Sequence, residues 1–396
     1  MMKKLNKISS IATIVALIVA IIIGFCAPSF ATDIEYIGTR YLKVLKFLIG
    51  PVIICSIACA MLKKNKDSKF LVGKTVVIFI IMFVTTFLLC SGIVALAKPG
   101  SSFSSSIDSS SSNLADFSIK SILLNLIPND LEKFFFAGNI FFIIVVTLII
   151  FFIISKTKIR EKTYEVMKDF KKGVDFALNV VVLLTPFAVV SLLSNMIVNY
   201  DTSMFNMGLR YILYAYGLSI LTIILVMILP VWFIAKINPL TYIRKVAKVW
   251  LFTISSCSSA ATLPYTIKTC NEEFGIDEKI TDVVVPLGCT IHMCGGAVSF
   301  ALLGFFVAQL TGNYITFPLF MLMLVSATLI NMAAPGIPGG GVVIGMTYLS
   351  ILNLPFEGFY GLYAGMYKLL DMSYTTLNVT GDISANILLN HFENKE

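Results

Sequence analysis

Ten apolar stretches divide this chain, and polar residues interrupt them in only a few places. Eight of them, residues 9–31, 38–62, 73–98, 120–155, 173–198, 206–235, 282–312 and 358–390, are long enough to span a bilayer, which takes about 20 helical residues. The stretch 120–155 has length enough to be broken. Two more, 244–275 and 316–351, are apolar but interrupted by small and helix-breaking residues. In lipid, backbone freed by such residues survives only where it is buried in protein or lines a polar cavity. These two therefore read as re-entrant hairpins. The pattern predicts an all-α polytopic membrane protein with eight transmembrane helices, two re-entrant helical hairpins and inverted repeats.

The hairpin tips are Ile254-Ser255-Ser256-Cys257-Ser258-Ser259-Ala260-Ala261-Thr262-Leu263-Pro264 and Ala333-Ala334-Pro335-Gly336-Ile337-Pro338-Gly339-Gly340-Gly341. Each is followed by a full span. Half-helices that meet at such tips aim their dipole ends at whatever cavity lies between them. The span after the first tip carries Gly288 and Gly295-Gly296, where the helix is expected to unwind and expose carbonyls. The last span carries Asp371, Thr375, Asn378 and Asp382. At about 100° per residue, the latter three lie within about 40° of Asp371 on the helix surface. Each Asp at mid-membrane costs on the order of 2.5–3.5 kcal/mol on insertion scales. A bound cation and a bound ammonium group are the obvious compensation.

Composition agrees with the pattern. Of 396 residues, 57% are hydrophobic and 13% charged, about half the charge a water-soluble chain carries. Lysine and arginine gather before the first span, at 63–74, at 156–172 and at 236–248, which by the positive-inside rule puts the N-terminus in the cytoplasm of a cell-membrane protein. The net charge of +8 is thus a topology signal, and no nucleic-acid partner is read from it. The first stretch, ending at Ser29-Phe30-Ala31, also resembles a signal peptide; it is read as a retained span because the topology closes with it. The eight cysteines form no C-x-x-C pair and read as small buried hydrophobes. No G-x-x-x-x-G-K loop is present, so ATP is not the direct energy source.

Four motifs in order then resemble the dicarboxylate/amino acid:cation symporter family, which includes the glutamate transporters. They are Ser258 to Pro264, Pro286 to Gly295, Gly336 to Gly341 and Asp371 to Asp382. The resemblance implies a glutamate-transporter-like fold, with six spans in 1–240 as scaffold and support and a transport core in 241–396. It implies a homotrimer in the lipid bilayer and secondary active symport of a small amino acid with sodium, not enzymatic activity. Asp371 would hold the substrate's α-ammonium, and Ser258, Ser259, Thr375 and Asn378 would join it. Gly336, Ile337, Pro338 and Gly339 would close over it as the outer gate. One sodium ion would lie among Gly288, Asn378 and Asp382, and another between the second tip and Thr290.

Departures from the family pattern bear on cargo and ions. Tyr374 stands where the family has the arginine that grips an acidic side chain, and no arginine follows Arg244. The expected substrate is therefore neutral, with a dicarboxylate as the alternative. Lys368, one turn before Asp371, is a rival anchor or a side chain snorkelling to the interface. His292 and Cys294 replace the family's Asn and Asp, and Met82 replaces an aromatic residue. A deeper sodium site built on that Asp is expected to be absent or weakened. His292 is included among the cation-site residues because it either titrates, a proton replacing one sodium, or stays neutral in the bundle. An anion channel is a further alternative. Zinc at Cys289, His292 and Cys294 lacks a fourth ligand, and no carboxylate placed to orient His292 is seen for nucleophilic catalysis by Cys294.

Overall fold

A computed structural model describes residues 12, 15–16, 18–62, 69–103, 140–199, 203–333, 340–354 and 357–393. All regular structure among the described residues is helical. The chain runs through α1 (Ile18–Cys26), α2 (Pro28–Asp33), α3 (Glu35–Leu62), α4 (Lys69–Ala97), α5 (Ile140–Ser155), α6 (Arg160–Leu183) and α7 (Thr185–Asn199). It continues through α8 (Ser203–Thr222), a π-helical turn (Ile223–Ile228) and α9 (Leu229–Ala235) as one long helix. Then follow α10 (Pro239–Ser256), α11 (Ser259–Lys268), α12 (Glu278–Ile291), α13 (Cys294–Leu310), α14 (Phe317–Ala333), α15 (Gly340–Ile351) and α16 (Glu357–Glu393).

Helices occupy the described parts of the apolar stretches. Among the described residues, however, only Leu71–Ala97, Phe205–Ala235 and Glu278–Leu310 are long and apolar enough to cross a membrane. The first stretch is not a straight span: it bends by 119° between Cys26 and Pro28. Residues 120–139 of the fourth stretch lie outside the described residues, and α5 begins at Ile140. The fifth stretch is split at Leu184, because Pro186 lacks the N–H that would continue the preceding helix and is accommodated instead in the first turn of α7. Before it, α6 extends back through the charged residues to Arg160, laced by Lys168–Glu165 and Lys172–Asp169 pairs at 3.1 and 2.8 Å. Those pairs are exposed and add little stability. The π turn at Ile223–Ile228 precedes Pro230, whose ring would strike a carbonyl in a regular helix.

Helix faces follow the expected period. In α4, Thr75, Phe79, Met82, Phe83, Thr86, Phe87, Cys90 and Val94 are buried, while Val77, Ile80, Ile81 and Leu88 are exposed. Lipid is as apolar as those exposed side chains, so packing and hydrogen bonds, not water exclusion, hold the buried face. α13 is buried nearly all round and lies against α4. Gln309 pins the two together: it accepts from the Gly100 N–H at 2.9 Å and donates to the Val94 carbonyl at 3.0 Å, capping the end of α4.

α16 is the central element, buried over almost its whole length. Besides the carboxylate stripe it carries a second polar row of Ser373, Thr376, Thr380 and Ser384. Ser219 of α8 donates to Ser373 at 3.4 Å, and Thr253 and Thr376 share a hydrogen bond at 2.9 Å. Trp250 donates from Nε1 to the Thr380 hydroxyl at 2.9 Å, and the Tyr242 and Ser384 hydroxyls meet at 2.8 Å. This ladder fixes α10 and α8 on one side of α16 and leaves the carboxylates facing the other.

Candidate functional site

Two helix breaks meet α16. Between α10 and α11, Cys257 takes a left-handed conformation (φ 47°) that ends α10. Ser258 then turns extended and caps α11, its Oγ accepting from the Ala261 N–H at 3.2 Å. The second break, between α12 and α13, leaves His292 and Met293 non-helical. It brings α13 so close to α16 that a methyl on Gly295 would overlap the Tyr374 backbone. Only glycine allows that approach, and it delivers the Gly295 N–H to Asn378 Oδ1 at 2.7 Å.

Between these breaks lies a cavity of about 60 Å³. α16 contributes Tyr367, Asp371, Tyr374, Thr375 and Asn378; the breaks contribute Cys257, Ser259, Met293, Gly295 and Gly296. Ser299, Asn331 and Gly341 complete the wall that matters here. Asp371 is the one charged side chain in the described lining. Thr375 donates to its Oδ1 at 3.1 Å, one turn on. Tyr374 is 3% exposed, its hydroxyl close to those of Ser299 and Tyr211. The Ser299 and Tyr363 hydroxyls pair at 3.2 Å in the same region. Lys368 is half-buried at the cavity's edge, near enough to the Cys257 thiol for an electrostatic interaction. Gly341 opens α15 directly over Tyr367, where a methyl would overlap the phenol.

A second buried cluster sits deeper, on Asp382. His292 Nδ1 is 2.9 Å from Asp382 Oδ1, and Cys294 Sγ is 3.0 Å from His292 Nε2. The imidazole stacks on Phe79 with ring centroids 4.2 Å apart and planes 5° from parallel. Gly288 packs against the Asp382 carboxylate, and its carbonyl accepts from the His292 N–H at 2.9 Å.

Most of the expected site residues therefore converge: Ser259, Asp371, Tyr374, Thr375 and Asn378 on the cavity, and Gly288, His292, Asn378 and Asp382 around the deeper cluster. Ser258 is buried and serves as a helix cap beside the cavity. Gly336, Ile337, Pro338 and Gly339 lie outside the described residues. Thr290 joins neither cluster through its side chain; it is exposed and donates back to the Leu287 carbonyl at 2.7 Å. The carboxylate that the sequence did not offer to His292 is Asp382, 90 positions along the chain. Phe79, Tyr367, Ser299 and Asn331 were also not singled out.

A helical membrane bundle that buries a carboxylate beside a small polar cavity, between two helix breaks, has the makings of a solute carrier. The chain belongs to the sodium:dicarboxylate symporter family, whose model matches residues 10–392. It is 24% identical over 412 residues to a C4-dicarboxylate transport protein of Paraburkholderia phymatum, covering 99% of this chain and 94% of that one. A C4-dicarboxylate transport protein of Burkholderia ambifaria is 25% identical over 413 residues, covering 99% and 93%. An excitatory amino acid transporter of Caenorhabditis elegans is 32% identical over 157 residues, covering 40% of this chain and 31% of that one. These relatives are membrane transporters and not enzymes, so the Cys294–His292–Asp382 series belongs to a transport protein.

Proposed function

We propose that this protein couples an inward cation gradient, sodium in the first instance, to uptake of a small neutral amino acid by alternating access. The supporting observation is the cavity's lining: among the described residues its charged member is Asp371, with Tyr374 beside it. A zwitterion brings an ammonium for Asp371 and a carboxylate for the amides and hydroxyls at the helix breaks. A dicarboxylate would bring two negative charges to a wall that already holds one. The cavity, about 60 Å³, suits a short side chain, and the Tyr374 hydroxyl in its lining offers it one hydrogen bond.

In this reading residues 1–240 are scaffold and support, residues 241–396 the moving core, and the tip at Gly336–Gly339 the outer gate. The stretches 244–275 and 316–351 are re-entrant, the N-terminus is cytoplasmic and the assembly is a homotrimer. Dicarboxylate transport is the second reading. It is favoured by the names of the relatives that align over 99% of the chain and by Lys368 at the cavity's edge. Purified protein in liposomes separates the two. Serine, alanine, aspartate and succinate are offered under sodium and pH gradients imposed one at a time. Sodium-driven accumulation of the neutral amino acids supports the first reading; preferential accumulation of succinate or aspartate overturns it.

A further inference from the structure

Around the break between α12 and α13, Gly288 lies against the Asp382 carboxylate, and Asn378, one turn before Asp382 on α16, turns its amide oxygen to Gly295. All three are buried, and oxygens of these kinds suit a monovalent cation. Each of these groups already accepts a hydrogen bond from the protein. The His292 N–H donates to Gly288 at 2.9 Å, the Gly295 N–H to Asn378 at 2.7 Å, and the His292 ring to Asp382 at 2.9 Å. With Asp382 ionised, Nδ1 carries the ring proton. Nε2 then accepts, and the Cys294 thiol at 3.0 Å donates into it. The ring is held flat on Phe79. On another side Gly381 passes so close that a methyl there would stand 2.7 Å from Cε1. His292 and Asp382 are 1% and 2% exposed.

We propose that the His292 imidazole is a built-in occupant of this oxygen cluster, so that Gly288, Asn378 and Asp382 do not bind sodium in this protein. Cys294 is a positioning residue: its thiol, with Phe79, keeps the ring aimed at Asp382. The buried, hydrogen-bonded imidazole must leave Asp382 before an ion that also sheds its water can take its place. For the transport cycle the consequence rests on the symport reading: wild type moves one sodium fewer per solute than a variant lacking the imidazole. The closure itself is a binding property and does not depend on that reading.

The test uses purified full-length protein in detergent, unfolded by heat in sodium chloride and in equimolar choline chloride. Wild type is expected to show no sodium-dependent rise in melting temperature that D382N removes. H292N, whose shorter amide leaves the carboxylate open, is expected to gain a rise of several degrees in sodium, lost again in H292N/D382N. H292Q supplies the same contrast should H292N fail to fold. C294S is expected to fold and to resemble wild type, since a hydroxyl also donates to Nε2. A sodium response in wild type that D382N abolishes overturns the proposal, as does a folded H292N and H292Q pair with none. Failure of liposome uptake leaves these outcomes unchanged, so the two claims fail separately.

Discussion

Replacing Tyr374 with arginine is expected to turn the cavity from one that favours neutral cargo into one that favours acidic cargo. The substitution removes a buried phenol whose hydroxyl lies close to Ser299 and Tyr211. It places a guanidinium at a position only 3% exposed, where an unpaired charge costs several kcal/mol. Asp371 lies three residues earlier on the same helix, on the neighbouring stretch of surface, and becomes the natural partner. The ammonium of a neutral amino acid then loses its counter-ion. Losing one side of a buried, hydrogen-bonded charge pair costs about 2–5 kcal/mol. At about 1.4 kcal/mol per decade, affinity falls roughly 30- to 4,000-fold. An acidic side chain recovers about 1.5–3 kcal/mol for each charge-assisted hydrogen bond to the guanidinium. The assay is competition: aspartate and serine as inhibitors of each other's uptake by wild type and Y374R in liposomes. Refutation takes either of two forms. Y374R leaves the serine inhibition constant within about threefold of wild type, under about 1 kcal/mol, or wild type already takes aspartate as well as serine.

Two further predictions concern the frame around the cavity. G341A places a methyl over the Tyr367 phenol, and overpacking of this kind costs about 1–3 kcal/mol; a lower melting temperature and weaker substrate affinity are expected, with G341A/Y367L recovering part of the stability, and an unchanged G341A would contradict the packing. T380V removes the hydrogen bond from Trp250 and is expected to cost only about 0.6 kcal/mol, at most about 1.7, because interhelical hydrogen bonds in membranes are weak; a melting-temperature loss matching a buried charge deletion would show that the ladder carries more than positioning.

The all-helical class was legible because lipid imposes a simple rule: apolar stretches of sufficient length become helices. Of the two small-residue interruptions, the one at Cys257–Ser258, within the described residues, is a helix break. The break at Cys257–Ser258 was readable from serine's capping chemistry, and the stripe from Asp371 to Asp382 from the helical period. The second row, Ser373, Thr376, Thr380 and Ser384, obeys the same period and was equally available. Thr290 lies apart from both clusters because α12 buries Thr281, Val284, Val285, Gly288 and Cys289, and position 290 turns off that face; its expected partner, the second tip, lies outside the described residues. The pairing of His292 with Asp382 had no such signal. It joins residues 90 apart through a tertiary approach that Gly381 permits, and neither spacing nor composition encodes it. Tyr374 was recognisable as a departure, but its hydroxyl's surroundings depend on three separate helices.

In the proposed cycle the Asp371 carboxylate is the group that binds the ammonium of the arriving cargo. Gradient-driven uptake of a neutral amino acid by D371N, in liposomes and at matched protein density, tests it most directly. D371N is expected to fold, to reconstitute and to accumulate no solute above the background of empty liposomes. Accumulation by D371N with the Michaelis constant of wild type would contradict it.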